Sequence, residues 1–138
     1  MGIRERAREL AVQALYQYAL RGKEDLVSIQ SFSWMESERA GAERIKEQAG
    51  EWFTATLADL EAIDALIEVH LDNWSSDRVG IIERAILRLA VYELRTDAEV
   101  AVVIDEAITL AKRYCDNDSF KFVNGVLDAI ATTLSRKA

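Results

Sequence analysis

Residues 79–94 read VGIIERAILRLAVYEL, and no other stretch constrains the architecture as tightly. Apolar side chains recur on almost every side of a helical wheel drawn through it, and Glu83 is one of its few polar positions. A helix on the outside of a domain carries one apolar stripe, whereas a helix apolar nearly all round has to be surrounded by others. This segment is therefore expected in the middle of a helical bundle. Arg84 and Arg88 stand one turn apart on it, and like charges at that spacing are mildly unfavourable unless carboxylates lie near them.

The flanking sequence supplies helices to surround it. From about Ile3 to Leu20, the residues Ile3, Ala7, Leu10, Ala14 and Tyr18 recur at helical spacing, and Ala11 and Leu15 widen the stripe. On that wheel Arg4 and Arg8 flank one edge of the stripe and Arg6 the other. Gly22 is expected to stop the helix, and Asp25 to cap a short second one reaching about Trp34. The polar stretch MESERAGAERIKEQAG, residues 35–50, reads as helix weakened by Gly41 and Gly50. Helical periodicity continues from Glu51 to Trp74 with a break between Asp59 and Asp64, and residues 75–77 read as a loop and cap.

Beyond the central segment, Thr96 and Glu99 have the spacing of a capping box. The helix it would open buries Val100, Val103, Ile104, Ala107, Ile108, Ala111 and Tyr114, with Lys112 and Arg113 in a last turn where cations suit the macrodipole. Asp118 or Ser119 caps a final helix whose stripe is Val123, Val126, Leu127, Ile130 and Leu134. No Val/Ile/Thr run alternates with period two, so no strand is expected. The fold class that follows is all-α, a compact bundle of about seven helices, with residues 1–138 forming a single domain.

Composition agrees. The 138 residues include no proline to break a helix, and half are hydrophobic. Cys115 is the one cysteine, which excludes an intrachain disulfide and makes a reducing compartment the simplest reading. No apolar run has the length of a signal peptide or of the ~18 residues needed for a membrane span, so a soluble, cytoplasmic protein with no membrane partner is expected. The net charge is −7, unevenly spread. Residues 1–23 carry five basic against two acidic side chains, and the remaining 115 carry twelve basic against twenty-two acidic. A basic end on an acidic body suits two partners of opposite charge, such as a phosphate backbone and a basic protein.

Catalytic chemistry finds no support in the residues. His70 is the one histidine, too few for a di-metal site of paired Glu-x-x-His motifs or for a zinc site with several Cys or His ligands. Cys115 has no third group or oxyanion hole identifiable in sequence. The six glycines are scattered singly, so none forms a phosphate loop. Asp105 and Glu106 are adjacent and point about 100° apart on a helix, which is not the geometry of an acid/base pair. No catalytic residue, metal site or cofactor is expected. What remains is surface: Tyr16 lies some 160° from the apolar stripe of the first helix, which leaves it free to contact a partner.

Three blocks then point further: RERARELAVQALYQ at residues 4–17, ERAILRLAVYEL at 83–94, and IDEAITLAKRY with DSFKFVNGVLD at 104–128. In this order and spacing they resemble the NusB family of transcription antitermination factors, over essentially the whole chain. The resemblance implies two packed helical subdomains and an RNA partner, the single-stranded boxA element of ribosomal and phage transcripts. It also implies a protein partner, the basic ribosomal protein NusE, and a larger complex with NusA, NusG and RNA polymerase during rRNA transcription. Carried over position by position, Arg4, Arg6 and Arg8 are expected to contact RNA, as are Asp118, Ser119, Lys121 and Phe122. Tyr16 and Glu83 are expected to face NusE.

Some positions depart from the family pattern. Glu5 interrupts the arginine run, the connection RTDAEVAV lacks the usual proline, Ala55 stands where glycine is common, and Phe120 occupies a position typically polar or proline. On a 100° wheel with Val123 at zero, Phe120 falls near +60°, at the edge of the core stripe, and Phe122 near −100°, outside it. Phe122 is thus expected to face RNA beside Gly125, and Phe120 to pack. Two other readings are the RNA-binding domain of a ribosomal-RNA cytosine methyltransferase, which borrows the same fold, and a structural homodimer with no RNA role.

Overall fold

The computed structural model describes residues 2–35, 41–71, 79–116 and 118–136. Seven α-helices run through them: α1 (Ile3–Arg21), α2 (Leu26–Gln30), α3 (Ala42–Ala58), α4 (Leu60–Val69), α5 (Ile81–Leu94), α6 (Val100–Tyr114) and α7 (Ser119–Thr133). One 3-10 turn, Lys23–Asp25, precedes α2. No strand occurs among the described residues, and no helix there is long and apolar enough to cross a membrane. The expected loop at 75–77 lies outside the described residues, as do residues 36–40 of the polar stretch and 72–74 of the helical stretch before the loop; α3 begins at Ala42.

The central segment behaves as its composition demands. Helix α5 packs against α1 and α3 and also against α4, α6 and α7, so it is the element that the rest of the bundle shares. Its buried residues are Ala85, Ile86, Leu87, Leu89, Ala90, Val91, Glu93 and Leu94. The like charges of Arg84 and Arg88 are resolved by α4, which runs alongside. Arg88 makes a two-pronged bond to Asp64 with both contacts at 2.9 Å, Arg84 reaches Glu68 at 3.0 Å, and Arg95 approaches Asp59 at 3.7 Å. Carboxylates spaced along α4 thus meet arginines spaced along α5.

Helix ends explain both the agreements and the differences. Gly22 stops α1 at a positive φ of 77°, a conformation that L side chains rarely adopt, and its N–H returns to the Tyr18 carbonyl at 2.8 Å. Asp59 separates α3 from α4, within the expected break. Helix α2 is shorter than expected, ending at Gln30 and not near Trp34. The capping box expected from Thr96 to Glu99 does not form. Thr96 belongs instead to the turn that closes α5: its hydroxyl donates to the Glu93 carbonyl at 2.6 Å and accepts from the Ala98 N–H at 3.2 Å. The same turn receives Arg136, whose guanidinium donates to the carbonyls of Leu94, Thr96 and Ala98, satisfying groups that a helix C-terminus leaves open.

Two charge clusters fix α1. Arg8 is 5% exposed and Glu93 4% exposed, and the guanidinium spans the carboxylate with contacts of 2.9 and 3.2 Å. The Arg8 guanidinium also lies 5.1 Å from the centre of the Trp52 ring, so α1, α3 and α5 converge on one side chain. On another side of α1, the buried Glu9 carboxylate accepts from both Arg6 and Arg113. Burial pushes the Glu9 carboxyl up, but the hydrogen bonds from Arg113 and Tyr114 and the charges of Arg6 and Arg113 outweigh it, and the group is held below its ordinary value of 4.5.

Removing one partner of the inner pair leaves the other charge buried and unpaired. Glu93→Ala is expected to lower unfolding free energy by about 3–5 kcal/mol, and the double replacement Arg8→Met/Glu93→Leu by far less, both read from urea denaturation. The Glu9 contribution has a defined pH window. Because its folded value is depressed, the stabilisation is fully present above about 4.5 and is lost as pH falls through the lower folded value. Glu9→Gln should be less stable at neutral pH and should show a shallower fall in urea midpoint on acidification; an unchanged acid slope would remove Glu9 from that role.

Candidate nucleic-acid interface

The three arginines of α1 take three different directions. Arg4 is exposed, with its guanidinium 5.4 Å from the Trp52 ring, beside a polar hollow of about 330 Å³ lined by Ile3, Arg44, Glu47, Gln48 and Glu51. Arg6 is half-buried and turned toward Glu9 and the end of α6. Arg8, expected beside them at the surface, is in the core and committed to Glu93. The wheel placed it at the edge of the stripe, and α3 and α5 together cover that edge.

At the other end of the chain, α6 and α7 meet in a basic corner. The Glu9–Arg113 bridge places the last turn of α6 against the second turn of α1, so Arg6 belongs to the same corner. Lys112 and Lys121 both approach the ring of Phe120, at 4.8 and 5.9 Å from its centre. Asp118 is exposed and lies 3.8 Å from the Lys121 ammonium, Ser119 is half-buried, and Gly125 is exposed with room for a Cβ that would touch nothing in this chain.

Of the two phenylalanines, Phe120 packs partly buried against the core as expected, whereas Phe122, expected to face RNA, is buried. Phe122 is 7% exposed and packs in the core with Val123, Val126, Leu127, Ile130 and Ala131. Phe120 is half-buried under the two lysines. Helix α7 is packed against α6, α5 and α4, so its buried arc is wider than one apolar stripe and takes in Phe122. Phe120 shares the angular sector of the core but sits in the first turn, at the end of α6.

Of the two positions expected to face a protein partner, Tyr16 lines a surface groove and Glu83 is not among the residues that line it. Tyr16, 37% exposed, lines a groove of about 470 Å³ with Gln13, Gln17, Trp34, Ile82 and Tyr114. Tyr114 was expected in the core of α6; it is exposed instead, and its hydroxyl accepts from the Gln13 amide at 3.1 Å. Burial and the bond to Glu9 raise the Tyr114 hydroxyl above its ordinary value, so it stays neutral.

Glu83 stands next to Ile82 of this groove, but its carboxylate first serves α5, accepting the Gly80 N–H at 2.7 Å. A Cβ on Gly80 would collide with that carboxylate, so a larger residue there would require the Glu83 side chain to shift. Glu83 also faces the Cys115 thiol, whose pKa is pushed up to about 12, first by burial and then by the Glu83 hydrogen bond and charge. A thiol held protonated at neutral pH is no nucleophile. His70 ties α4 to α7, with Nδ1 at 2.8 Å from the Leu66 carbonyl and Nε2 at 2.7 Å from the Thr133 hydroxyl. Among the described residues no group of three His, Cys, Asp or Glu could hold a metal ion.

Sequence reasoning missed Glu9, Arg113, Trp52 and Glu93. Arg113 and Glu9 lie 104 positions apart, and Arg8 and Glu93 lie 85 apart, so nothing local announces either pair. Lys112 and Arg113 were legible only as cations suited to the end of a helix, and the tie of Arg113 to Glu9 was not.

Comparison with known proteins agrees with this architecture. The sequence profile of the NusB family matches residues 5–132. A transcription antitermination protein NusB of a Nitratiruptor species is 45% identical over 133 residues, covering 95% of this chain and 93% of that protein. The structure of T. maritima NusB superposes with a TM-score of 0.81 at 40% identity, covering 94% of this chain and 90% of that one. A structure of antitermination factors NusB and NusE in complex with dsRNA superposes with a TM-score of 0.76 at 34% identity, covering 96% of this chain and 98% of that one. The match in helices, in sequence and in length is nearly end to end, and this chain belongs to the NusB family.

Proposed function

We propose that this chain is a non-catalytic transcription antitermination adapter that binds boxA RNA jointly with NusE. The observation that carries the reading is the adjacency of two surfaces of different chemistry at the last turn of α6. The basic corner of Arg6, Lys112, Arg113 and Lys121 lies where that turn meets α1 and α7, and the apolar groove of Tyr16 and Tyr114 where it meets α1. A phosphate backbone suits the first and a protein surface the second.

In this reading Arg4, Arg6, Ser119 and Lys121 meet RNA directly, with Asp118 beside them. Arg8 and Phe122 act from beneath, holding α1 and α7 in place. Tyr16 anchors the NusE contact at the groove, and Glu83 stiffens the start of α5 next to it. The assembled pair then joins NusA, NusG and RNA polymerase in the cytoplasm during rRNA transcription. Relatives with antitermination names and the solved assembly of NusB and NusE with dsRNA support this role.

Binding of a boxA RNA should tighten cooperatively when NusE is added. If about four phosphates are neutralised, the logarithm of affinity should fall with the logarithm of salt at a slope of roughly −3, at ~0.7 per phosphate on single strands. A flat salt dependence would rule out the phosphate contacts. Tyr16→Asp, which sets a charge into the apolar groove, should weaken NusE binding by about tenfold or more in calorimetry while the melting temperature stays near that of the unmodified chain. Full retention of NusE affinity would place the contact elsewhere.

A further inference from the structure

We propose that Phe120, flanked by Lys112 and Lys121, is the seat on which an unpaired RNA base stacks; the inference rests on the RNA-binding reading above. Three observations converge on it. The less buried aromatic at the start of α7 is Phe120, which is half-buried and packs against the edge of the core, whereas Phe122 is 7% exposed. The Phe120 ring already holds two ammonium groups near it, at 4.8 and 5.9 Å from its centre. Both lysines are exposed, and among the described residues the carboxylate bridged to Lys121 is Asp118, 3.8 Å away and itself 92% exposed. An exposed ion pair of that kind contributes little and yields readily to a competing anion.

The chemistry of this arrangement is specific. An aromatic face accepts any base, since every base has a π-face, and a cation beside it meets the phosphate of the same nucleotide. Lys112 comes from the last turn of α6 and Lys121 from the first turn of α7, so the two charges approach the ring from different elements. A base arriving on the ring displaces an ammonium from its face. The displaced lysine, on a flexible stem, then reaches the flanking phosphate. The bridge from Arg113 to Glu9 holds the end of α6 against α1 and keeps this seat continuous with Arg6.

The test measures affinity for a fluorescein-labelled single-stranded RNA carrying a boxA sequence, across a salt series, with the whole chain. Phe120→Leu, which keeps an apolar side chain but removes the π-face, should bind about tenfold more weakly, and Phe120→Tyr within about twofold of the unmodified chain. Lys112→Gln should make the salt slope shallower by about 0.7, the loss of one phosphate contact. Circular dichroism and melting temperature identify any variant that fails to fold; if Phe120→Leu is one, the exposed Lys112→Gln decides by its slope. A folded Phe120→Leu that binds as tightly as the unmodified chain, or a Lys112→Gln slope that does not change, overturns the seat while leaving RNA binding intact. If the unmodified chain binds the RNA at no salt concentration, the adapter reading fails and the seat with it.

Discussion

A guanidinium buried between three helices is the constraint around which this fold is arranged. Arg8 lies across the Glu93 carboxylate and against Trp52, so one charged side chain of α1 fixes the positions of α3 and α5 together. Two charges out of water are costly unless the geometry satisfies them, and the two-pronged contact does so. The pair also sets the direction of α1. With Arg8 directed inward, Arg4 and Arg6 are turned to different flanks, one toward α3 and the other toward the end of α6. A basic N-terminal helix is thereby built into the bundle and not laid on it.

This constraint is also where sequence reading ends. The central position of α5 is legible because a helix apolar nearly all round has one kind of place to go. The break near Asp59, the end of α1 at Gly22 and the number of helices follow from local signals of the same kind. Long-range charge pairs have no local signal, since Arg8 and Glu93 look like ordinary surface residues until α1 and α5 are laid side by side. Phe122 shows a second limit. A wheel centred on one stripe assumes a helix packed on one side, whereas α7 is packed on several, and the buried arc grows to include it. Thr96 shows a third: hydroxyl and carboxylate three residues apart fit a capping box, but the hydroxyl closes the preceding helix first. Tyr16 was readable as an off-core aromatic; the groove around it was not, because Trp34, Ile82 and Tyr114 come from three other parts of the chain.

The acidic excess of the chain does not smother its basic surface, because carboxylates and cations are sorted by neighbour. Arg84, Arg88 and Arg95 are matched by carboxylates of α4 and its preceding turn, and Arg8 by Glu93. Arg4 and Lys112 instead have aromatic rings beside them, and Lys121 has a ring and one exposed carboxylate, Asp118. A cation on a ring keeps its charge and remains able to attract phosphate, and Arg6 and Arg113 together share the single carboxylate of Glu9, which leaves that pair a net positive charge. Local charge at the α1–α6–α7 corner can therefore differ in sign from the −7 of the whole chain.

The last turn of α6 is where the two proposed surfaces become one structural unit. Lys112 and Arg113 belong to the basic corner, while Tyr114, the next residue, lines the groove of Tyr16. Glu9 and Gln13, one turn apart on α1, hold Arg113 and Tyr114 respectively. A partner that displaces Tyr114 from Gln13 therefore acts on the same helical turn that carries Lys112 and Arg113 of the proposed RNA surface. Coupling between the two ligands needs no change of fold under this arrangement, only a choice among side-chain positions in a turn they share. The Glu9 carboxylate, bridged to both Arg6 and Arg113, ties that turn to α1.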